Sequence, residues 1–315
     1  MQVRQLRWFV LTADVGSIAQ ASVHSGTTAP AISRAIAALE QDLGCALFDR
    51  DGRGMRLTEA GESLHASATR LLRDLELARQ EAMAQGSRPA GDVLIGASPA
   101  AVSLLGARLI RGAEAAFPDV KPRISEGYSA YLQNWALTGV VDFALANGFR
   151  PTHARLDCVP LAVERLHAVG QAGALPAERI ALADLLEARL LLPSAQNPIR
   201  DLLDRAAASL GRTAPASLEI DSARLLMDLA AEGRGLAVLP FAAVAREVAA
   251  GRLSAAPIVA PEIPSALNLI HLKDRPPSRI AAALNRLIVA ELDAIVAGAA
   301  PHGFVEVTAP DRLRV

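Results

Sequence analysis

Punctuation in the first sixty residues restricts this chain more tightly than any other feature. Leu6, Phe9, Val10 and Ala13 recur at helical spacing, and Gly16 closes that helix. Ser17 with Gln20 has the spacing of a capping box and opens a short second helix through Val23. Ser25-Gly26 makes the turn. Thr27 or Thr28 caps a third helix, with Pro30 in its first turn, where the missing N–H costs nothing, and Ile32, Ile36 and Leu39 form its buried stripe. Two short helices joined by a tight glycine-containing turn predict a helix-turn-helix, in which the second helix of the pair reads base edges. The stripe leaves Thr28, Ala31, Ser33, Arg34 and Ala35 largely outward, a face small enough to enter a major groove.

The residues that follow predict a wing. Ala46-Leu47-Phe48 and Met55-Arg56-Leu57 read as short strands around a glycine-rich tip, with Arg50, Arg53 and Arg56 crowded onto it. Residues 1–58 carry six arginines against five acidic residues, so positive charge is focused there and not general. On this pattern alone a DNA reader, a protein-docking winged helix and a purely structural three-helix cluster all stay open. The formal charge of the whole chain is -1, which argues against a protein that coats nucleic acid or an anionic membrane. Of 32 basic residues only Lys121 and Lys273 are lysines; the rest are arginines, whose planar forks suit phosphate and guanine, although GC-rich codons give the same bias. Cys45 and Cys158 form no CxxC pair, which excludes a disulfide framework or a cysteine-rich zinc site and fits a reducing compartment. The apolar run at Trp8 to Leu11 ends at Asp14, and no stretch reaches ~18 apolar residues, so a cytoplasmic protein with no membrane partner is expected.

Thr58 can cap a long helix from Glu59 to about Gln85. Within it Leu64, Ala68, Leu71, Leu75, Ala78 and Ala82 are spaced four, three, four, three, four, a heptad seam flanked by Arg70, Arg73, Glu76, Arg79 and Glu81. Pairing between two chains is the expectation, against a helix packed only on its own domain. Gly86 to Gly91 then breaks the helix as a hinge.

Beyond the hinge, strands and helices alternate. Val93 to Ala97, Lys121 to Glu126, Val140 to Ala146, Leu190 to Leu192, Ser217 to Ile220, Leu236 to Leu239 and Leu267 to Leu272 read as strands, implying a mainly parallel sheet covered by helices. Ligands of such sheets bind beyond the carboxyl ends of the strands. Candidate effector contacts follow: Ser98 with Pro99 and Ala100, then Ser129, Asn147, Ser194, Asn197, Arg200 and Ser222. Each alone reads equally as a cap or turn residue; their shared side of the sheet is what singles them out. Residues after Ala299 read as a flexible tail.

The head also carries a resemblance. Arg4-Gln5-Leu6-Arg7-Trp8-Phe9, Gly16-Ser17, Pro30-Ala31-Ile32-Ser33-Arg34, Leu39-Glu40, Leu43-Gly44, Leu47-Phe48 and Leu57-Thr58-Glu59-Ala60-Gly61 resemble, in order and without gaps, the N-terminal signature of LysR-type transcriptional regulators. Ala29 stands where that family commonly has a glutamine, and Ala19-Gln20-Ala21-Ser22-Val23 replaces its alanine-rich second helix; both changes bear on the operator sequence. Looser motifs extend the likeness from about Asp92 to Ala297: Glu126-Gly127, Gly139 with Asp142-Phe143-Ala144-Leu145, Pro193, and Gly233 to Pro240. The wider sequence, including Ala242 to Leu253, is most similar to the branch containing nitrogen-assimilation control proteins.

The resemblance implies a fold and a role. The fold is an all-α winged helix-turn-helix at 1–58, a linker and dimerisation helix at 59–86, a hinge at 87–91, an α/β, periplasmic-binding-protein-like effector domain at 92–299, and a tail at 300–315. Lobe I would span about 92–161 and 267–299 and lobe II about 162–266, joined by crossover strands near Pro160 to Glu164 and Ser265 to Ile270. The role is a sequence-specific DNA-binding regulator, homodimer or homotetramer, that binds a small, expectedly anionic, effector. Its candidate DNA contacts are Ser17, Thr28, Pro30, Ala31, Ser33, Arg34, Arg50, Arg53 and Arg56, with double-stranded operator DNA as partner and RNA polymerase as a further candidate. The alternative is a ligand-independent DNA-binding dimer with a vestigial pocket. Solute-binding proteins of transport systems share the two-lobed architecture, but a winged head and the lack of a signal peptide set this chain apart.

Enzyme chemistry finds no footing. There is no HExxH, Walker loop, GxSxG elbow or complete GxGxxG, and His24, His65, His153, His167, His271 and His302 lack ligand spacing. Gly96-Ala97-Ser98 lacks the closing glycine of a nucleophile elbow, so Ser98 reads as a binding group. Peroxide sensing at Cys158 would need a resolving partner, and Cys45 belongs to the head. Neither a cofactor nor a metal is expected.

Overall fold

A computed structural model describes residues 1–51, 54–83, 89–175, 179–273, 275, 277–298, 304–308 and 313; the side chains of 50, 51, 54, 73, 76, 77, 80–83 and 304–306 lie outside that description. The chain forms two compact units, a helical head with its long helix and an α/β unit. No helix among the described residues is long and apolar enough to cross a membrane.

The head follows its punctuation. Helix α1 (Val3–Val15) ends on Gly16 at φ 67°, α2 (Ile18–Ser25) on Gly26 at φ 64° and α3 (Ala29–Leu43) on Gly44 at φ 71°, left-handed positions that glycine takes without a Cβ penalty. Ser17 caps α2 by accepting from the Gln20 N–H, and Thr28 precedes α3 with Pro30 in the first turn. Strands β1 (Phe48–Asp51) and β2 (Gly54–Leu57) pair antiparallel, Asp49 opposite Arg56, as the wing. Leu6, Phe9, Ala21, Ile32, Ile36, Leu39, Leu47 and Phe48 close one core, with the Phe9 and Phe48 rings 5.4 Å apart.

Helix α4 (Glu59–Met83) runs 25 residues. Its heptad splits in two. Ala68 is fully buried in the head core, with Leu64 and Leu72 packed beside it, whereas Leu71 is 50% and Leu75 43% exposed and Ala78 is exposed. Ala68 is therefore spent inside the head, with Leu64 partly covered beside it, because α4 leans on α1 over its first turns, where His65 Nε2 also meets Asp14 Oδ1 at 2.8 Å. The Ala82 side chain and residues 86–88 of the expected hinge lie outside the described residues; Pro89 and Ala90 have no regular structure, and Gly91 already belongs to the next strand.

In the α/β unit, β3 (Gly91–Ala97) leads into α5 (Pro99–Ala101), a π-helical turn (Val102–Gly106) and α6 (Ala107–Ala116). Then come β4 (Val120–Glu126), α7 (Ser129–Thr138), β5 (Phe143–Asn147) and the 16-residue β6 (Leu156–Gln171). Beyond it lie β7 (Ile180–Ala181), α8 (Leu182–Leu185), β8 (Leu190–Leu192), α9 (Pro198–Ser209), β9 (Leu218–Glu219), α10 (Ala223–Ala231), β10 (Leu236–Pro240) and α11 (Phe241–Ala249). The unit closes with β11 (Leu253–Val259), β12 (Pro264–Leu272), α12 (Arg279–Ala297) and β13 (Phe304–Val307).

The sheet order is β4-β3-β5-β12-β6-β10-β8-β9. Pairings β3·β4, β3·β5, β8·β10 and β8·β9 are parallel, but β12 and β6 run against their neighbours, so the sheet is mixed and not mainly parallel. The two crossover strands cause this, since each returns the chain from one lobe to the other. Two apolar clusters flank them, one from Val93–Ala162 and Leu267–Ile295, the other from Leu166–Ile263. The stretch read as a tail is structured in part. β13 pairs antiparallel with β6, the Thr308 N–H donates to the Leu161 carbonyl at 2.8 Å, and Val307 and Leu313 pack on the first cluster. Phe304-Val305-Glu306-Val307 has the aromatic and β-branched composition that favours a strand beside an open ladder.

Candidate functional site

The head presents one coherent face. Along α3 the buried Ile32, Ile36 and Leu39 alternate with exposed Pro30 and Arg34 and half-buried Ala31 and Ser33; Thr28 is exposed at the helix start and Ser17 half-buried at the start of α2. On the wing, Met55 and Leu57 turn to the core and Arg56, between them, turns to solvent, as period-two alternation requires. The Arg50 side chain and all of Arg53 lie outside the described residues. What holds α3 against the wing is a clamp: Glu40 Oε1 accepts from the Leu47 N–H at 2.8 Å and the Phe48 N–H at 3.3 Å. Thr58 adds a second tie, its hydroxyl donating to the Ala46 carbonyl and accepting from the Gly61 N–H.

In the α/β unit, the ends of several strands and the starts of several helices meet at one half-open cleft. From lobe I it is lined by Ser98, Pro99, Ala100, Tyr128, Ser129 and Asn147; facing them lie Asn197, Ile220, Asp221, Ser222, Leu226 and Pro240. Seven of the nine expected effector contacts are thus brought together: Ser98, Pro99, Ala100, Ser129, Asn147, Asn197 and Ser222. Three of these also cap helices, Ser98 accepting from the Ala101 N–H, Asn197 from the Ile199 N–H and Ser222 from the Leu225 N–H.

Two expected contacts do not line it. Arg200 is turned back into its own lobe, its Nε 2.9 Å from Asp204, with Nη1 and Nη2 donating to the Pro193 and Ala214 carbonyls. Asp204 lies one helical turn on, within reach on the same helix face. Ser194 instead gives its N–H to Asp221 Oδ1 at 3.0 Å.

Sequence reasoning missed Tyr128, Asp221 and Glu164. Tyr128 Oη accepts from the Ala223 N–H at 3.1 Å, a bond from lobe I to the first turn of α10 across the cleft. Glu164 is fully buried on the β6 crossover; its Oε1 lies 2.6 Å from Nδ2 of Asn147, which lines the cleft, and its Oε2 accepts from the Ala242 N–H at 3.4 Å. Burial pushes its pKa up to about 8, only partly offset by the Ala242 N–H. The adjacency of Tyr128 to Ser129 and of Asp221 to Ser222 was the available signal for the first two. Cys158 is half-buried, and burial together with Asp157 pushes its thiol up to about 11, opposite to the shift that makes a thiolate reactive.

Comparison with known proteins agrees with this geometry. Residues 3–62 match the family described as bacterial regulatory helix-turn-helix protein, lysR family, and residues 86–293 match the LysR substrate binding domain. The chain is 32% identical over 293 residues to the HTH-type transcriptional regulator BbuR of Bordetella bronchiseptica, covering 92% of this chain and 90% of that one. It is 32% identical over 244 residues to the nitrogen assimilation regulatory protein nac of Escherichia coli, covering 77% and 79%. Among solved structures, a cysteine-to-aspartate variant of full-length OxyR from Pseudomonas aeruginosa shares the fold with a TM-score of 0.73 at 23% identity over 93% and 94% of the chains. Full-length CbnR complexed with its target DNA shares it at 0.68 and 23% over 92% and 100%. A winged head with an outward α3 face, joined to a two-lobed unit with a cleft at its strand ends, thus belongs to the LysR family of DNA-binding transcriptional regulators.

Proposed function

We propose that this regulator senses a small acceptor-bearing metabolite, a carboxylate first, in the cleft between its lobes, and that occupancy changes how a pair of heads engages a two-part operator. The observation that carries the reading is the convergence of Ser98, Ser129 and Ser222, each at a helix start, on one cleft. Helix starts offer N–H groups and a partial positive charge to an anion. No arginine or lysine lines the cleft among the described residues, so the attraction rests on neutral donors and suits a single negative charge. Asp221, lining the opposite side, suits a hydroxyl or amine at the other end of the same molecule.

On DNA, α3 lies in the major groove. Ser33 and Arg34 contact base edges or phosphates, Thr28 a phosphate, and the wing arginines the neighbouring groove. Leu71, Leu75 and Ala78, exposed along α4, pair two chains so that two heads face two half-sites. A ligand shifts this arrangement only as far as it binds one arrangement better than the other. Thermal-shift screening of metabolites with purified protein tests the sensing half. A true effector at 100 times its Kd stabilises by about 2.7 kcal/mol. A panel of small hydroxy, amino and keto acids that produces no shift at millimolar concentration would favour the vestigial-pocket dimer instead.

A further inference from the structure

Glu164 has no part in the reading so far, yet it is an acidic side chain with no exposed surface, bonded to Asn147 of the cleft lining. The groups that meet its carboxyl are uncharged: the Asn147 amide from β5 and the Ala242 N–H from α11. Across the ladder stands Ser265 on β12, whose buried hydroxyl has no hydrogen-bond partner, and Phe304 of β13 is opposite in register on the other side. The nearby charges are engaged elsewhere. Arg165 Nε donates to Glu262 at 2.8 Å, the His167 ring meets the Arg165 carbonyl and Phe241, and Asp221 accepts from Ser194. No ion pair reaches Glu164 among the described residues. A carboxylate without a cation in such a place takes up a proton rather than stay charged.

Where that proton goes is legible in two distances. Asn147 Nδ2 faces Glu164 Oε1 at 2.6 Å, a separation normal for O–H···O and shorter than N–H···O bonds usually reach. Asn147 Oδ1 faces Ser98 Oγ, which donates to it at 3.0 Å, long for O–H···O and usual for N–H···O. An amide presents oxygen and nitrogen at nearly identical positions, so both distances are satisfied together when Asn147 turns its oxygen to a protonated Glu164 and its NH2 to Ser98. Ser98 Oγ then accepts twice, from Asn147 and from the Ala101 N–H at 3.3 Å. Its own hydrogen is left for the cleft. With Glu164 ionised the amide must turn the other way, its NH2 to the carboxylate and its oxygen to Ser98, and the serine hydrogen is consumed in the floor.

We propose that Glu164, through the Asn147 amide, sets whether Ser98 offers the ligand a proton or only a lone pair, and that the resting state offers the proton. Glu164 and Asn147 are thereby specificity-determining positioning residues: they select a ligand with an acceptor at that end and tie its binding to one proton on Glu164. The ligand part rests on the cleft being the effector site; the amide orientation does not.

The test uses the full-length protein with asparagine labelled for NMR, the Asn147 NH2 pair being assigned by its loss in Asn147→Asp. As pH rises from 6 towards 10, the Asn147 NH2 resonances should shift in one step, together with loss of the infrared band of a protonated carboxylic acid. Glu164→Gln, whose amide can donate to Asn147 as the acid does, should lack that band and hold the Asn147 signals in their low-pH position. Acetate, used as probe, should bind the wild type about tenfold more weakly for each pH unit above the transition, and Glu164→Gln with little dependence on pH. An Asn147 signal that stays still while Glu164 titrates, or a Glu164 already ionised at neutral pH, overturns the relay. Should Glu164→Gln not fold, the wild-type titration decides alone. If the amide follows Glu164 but acetate binds neither protein, the relay holds and the anion-binding reading of the cleft fails. Equal acetate affinity on both sides of the transition would refute the coupling to the ligand.

Discussion

Arg34, exposed on α3, is the side chain most suited to reading a guanine. Arg34→Ala should cost about 1–3 kcal/mol of specific affinity if it does so, and should weaken all sequences alike if it meets only phosphate; binding to operator and scrambled DNA measured side by side distinguishes the two. Glu164 makes a prediction about stability. Its folded pKa of about 8 exceeds the 4.5 of a free glutamate, so between those values the folded state holds a proton that the unfolded chain has lost. The resulting stabilisation is complete below about 4.5 and drains away as pH rises to about 8; melting curves should show it, and Glu164→Gln should flatten that part of the profile. Gly61 is a packing requirement, since a Cβ there would be forced against the Leu47 carbonyl oxygen. Gly61→Ala should therefore cost about 1–3 kcal/mol of head stability, read by denaturant unfolding. Ser98, Ser129, Asn147, Asn197 and Ser222 could be read from sequence because hydroxyl and amide residues at strand ends are local signals. Glu164 could not, because its meaning depends on Asn147, Ala242 and Ser265, each distant along the chain. Arg200, expected at the cleft, pairs instead with Asp204 four residues on, a partner already visible in the sequence.

At the level of single elements, α4 shows what periodicity can and cannot say. The four-three spacing from Leu64 to Ala82 marks one continuous stripe, but a stripe does not declare what covers it. The head core claims Ala68 and leaves Leu71 and Leu75 outward. Leu71→Asp should then yield folded monomers by light scattering with strongly reduced operator binding, whereas Ala68→Asp should unfold the head itself, visible as loss of helical signal. A persistent dimer in Leu71→Asp would move the subunit contact elsewhere. The glycine-terminated helices and the wing were legible because caps and turns are decided by neighbouring residues. β13 was not. Four residues with strand character predict nothing until a free ladder edge is known to await them, and that edge belongs to β6, more than 130 residues earlier.

At the level of the whole molecule, the mixed sheet follows from two long strands that each serve both lobes. The sequence showed alternation of strand and helix, from which a parallel sheet is the natural inference, but strand direction is set by where the chain must go next. The Tyr128 bond to Ala223 reaches from one side of the cleft to the other, so a ligand there would meet a contact already shared by the two lobes.

The discontinuity of lobe I also has a consequence during synthesis. The head core ends at Ala68, and the lobe II cluster is complete once Ile263 has emerged. The sheet of lobe I, begun at Val93, waits for Ile280 to Ile295 of α12 to cover it. On the ribosome a chain that can already present a DNA-binding head therefore precedes one that can sense anything, and the last part to fold is half of the sensor. Messages truncated before α12 should yield fragments with an intact head and an uncovered apolar sheet, prone to aggregate and deaf to the effector.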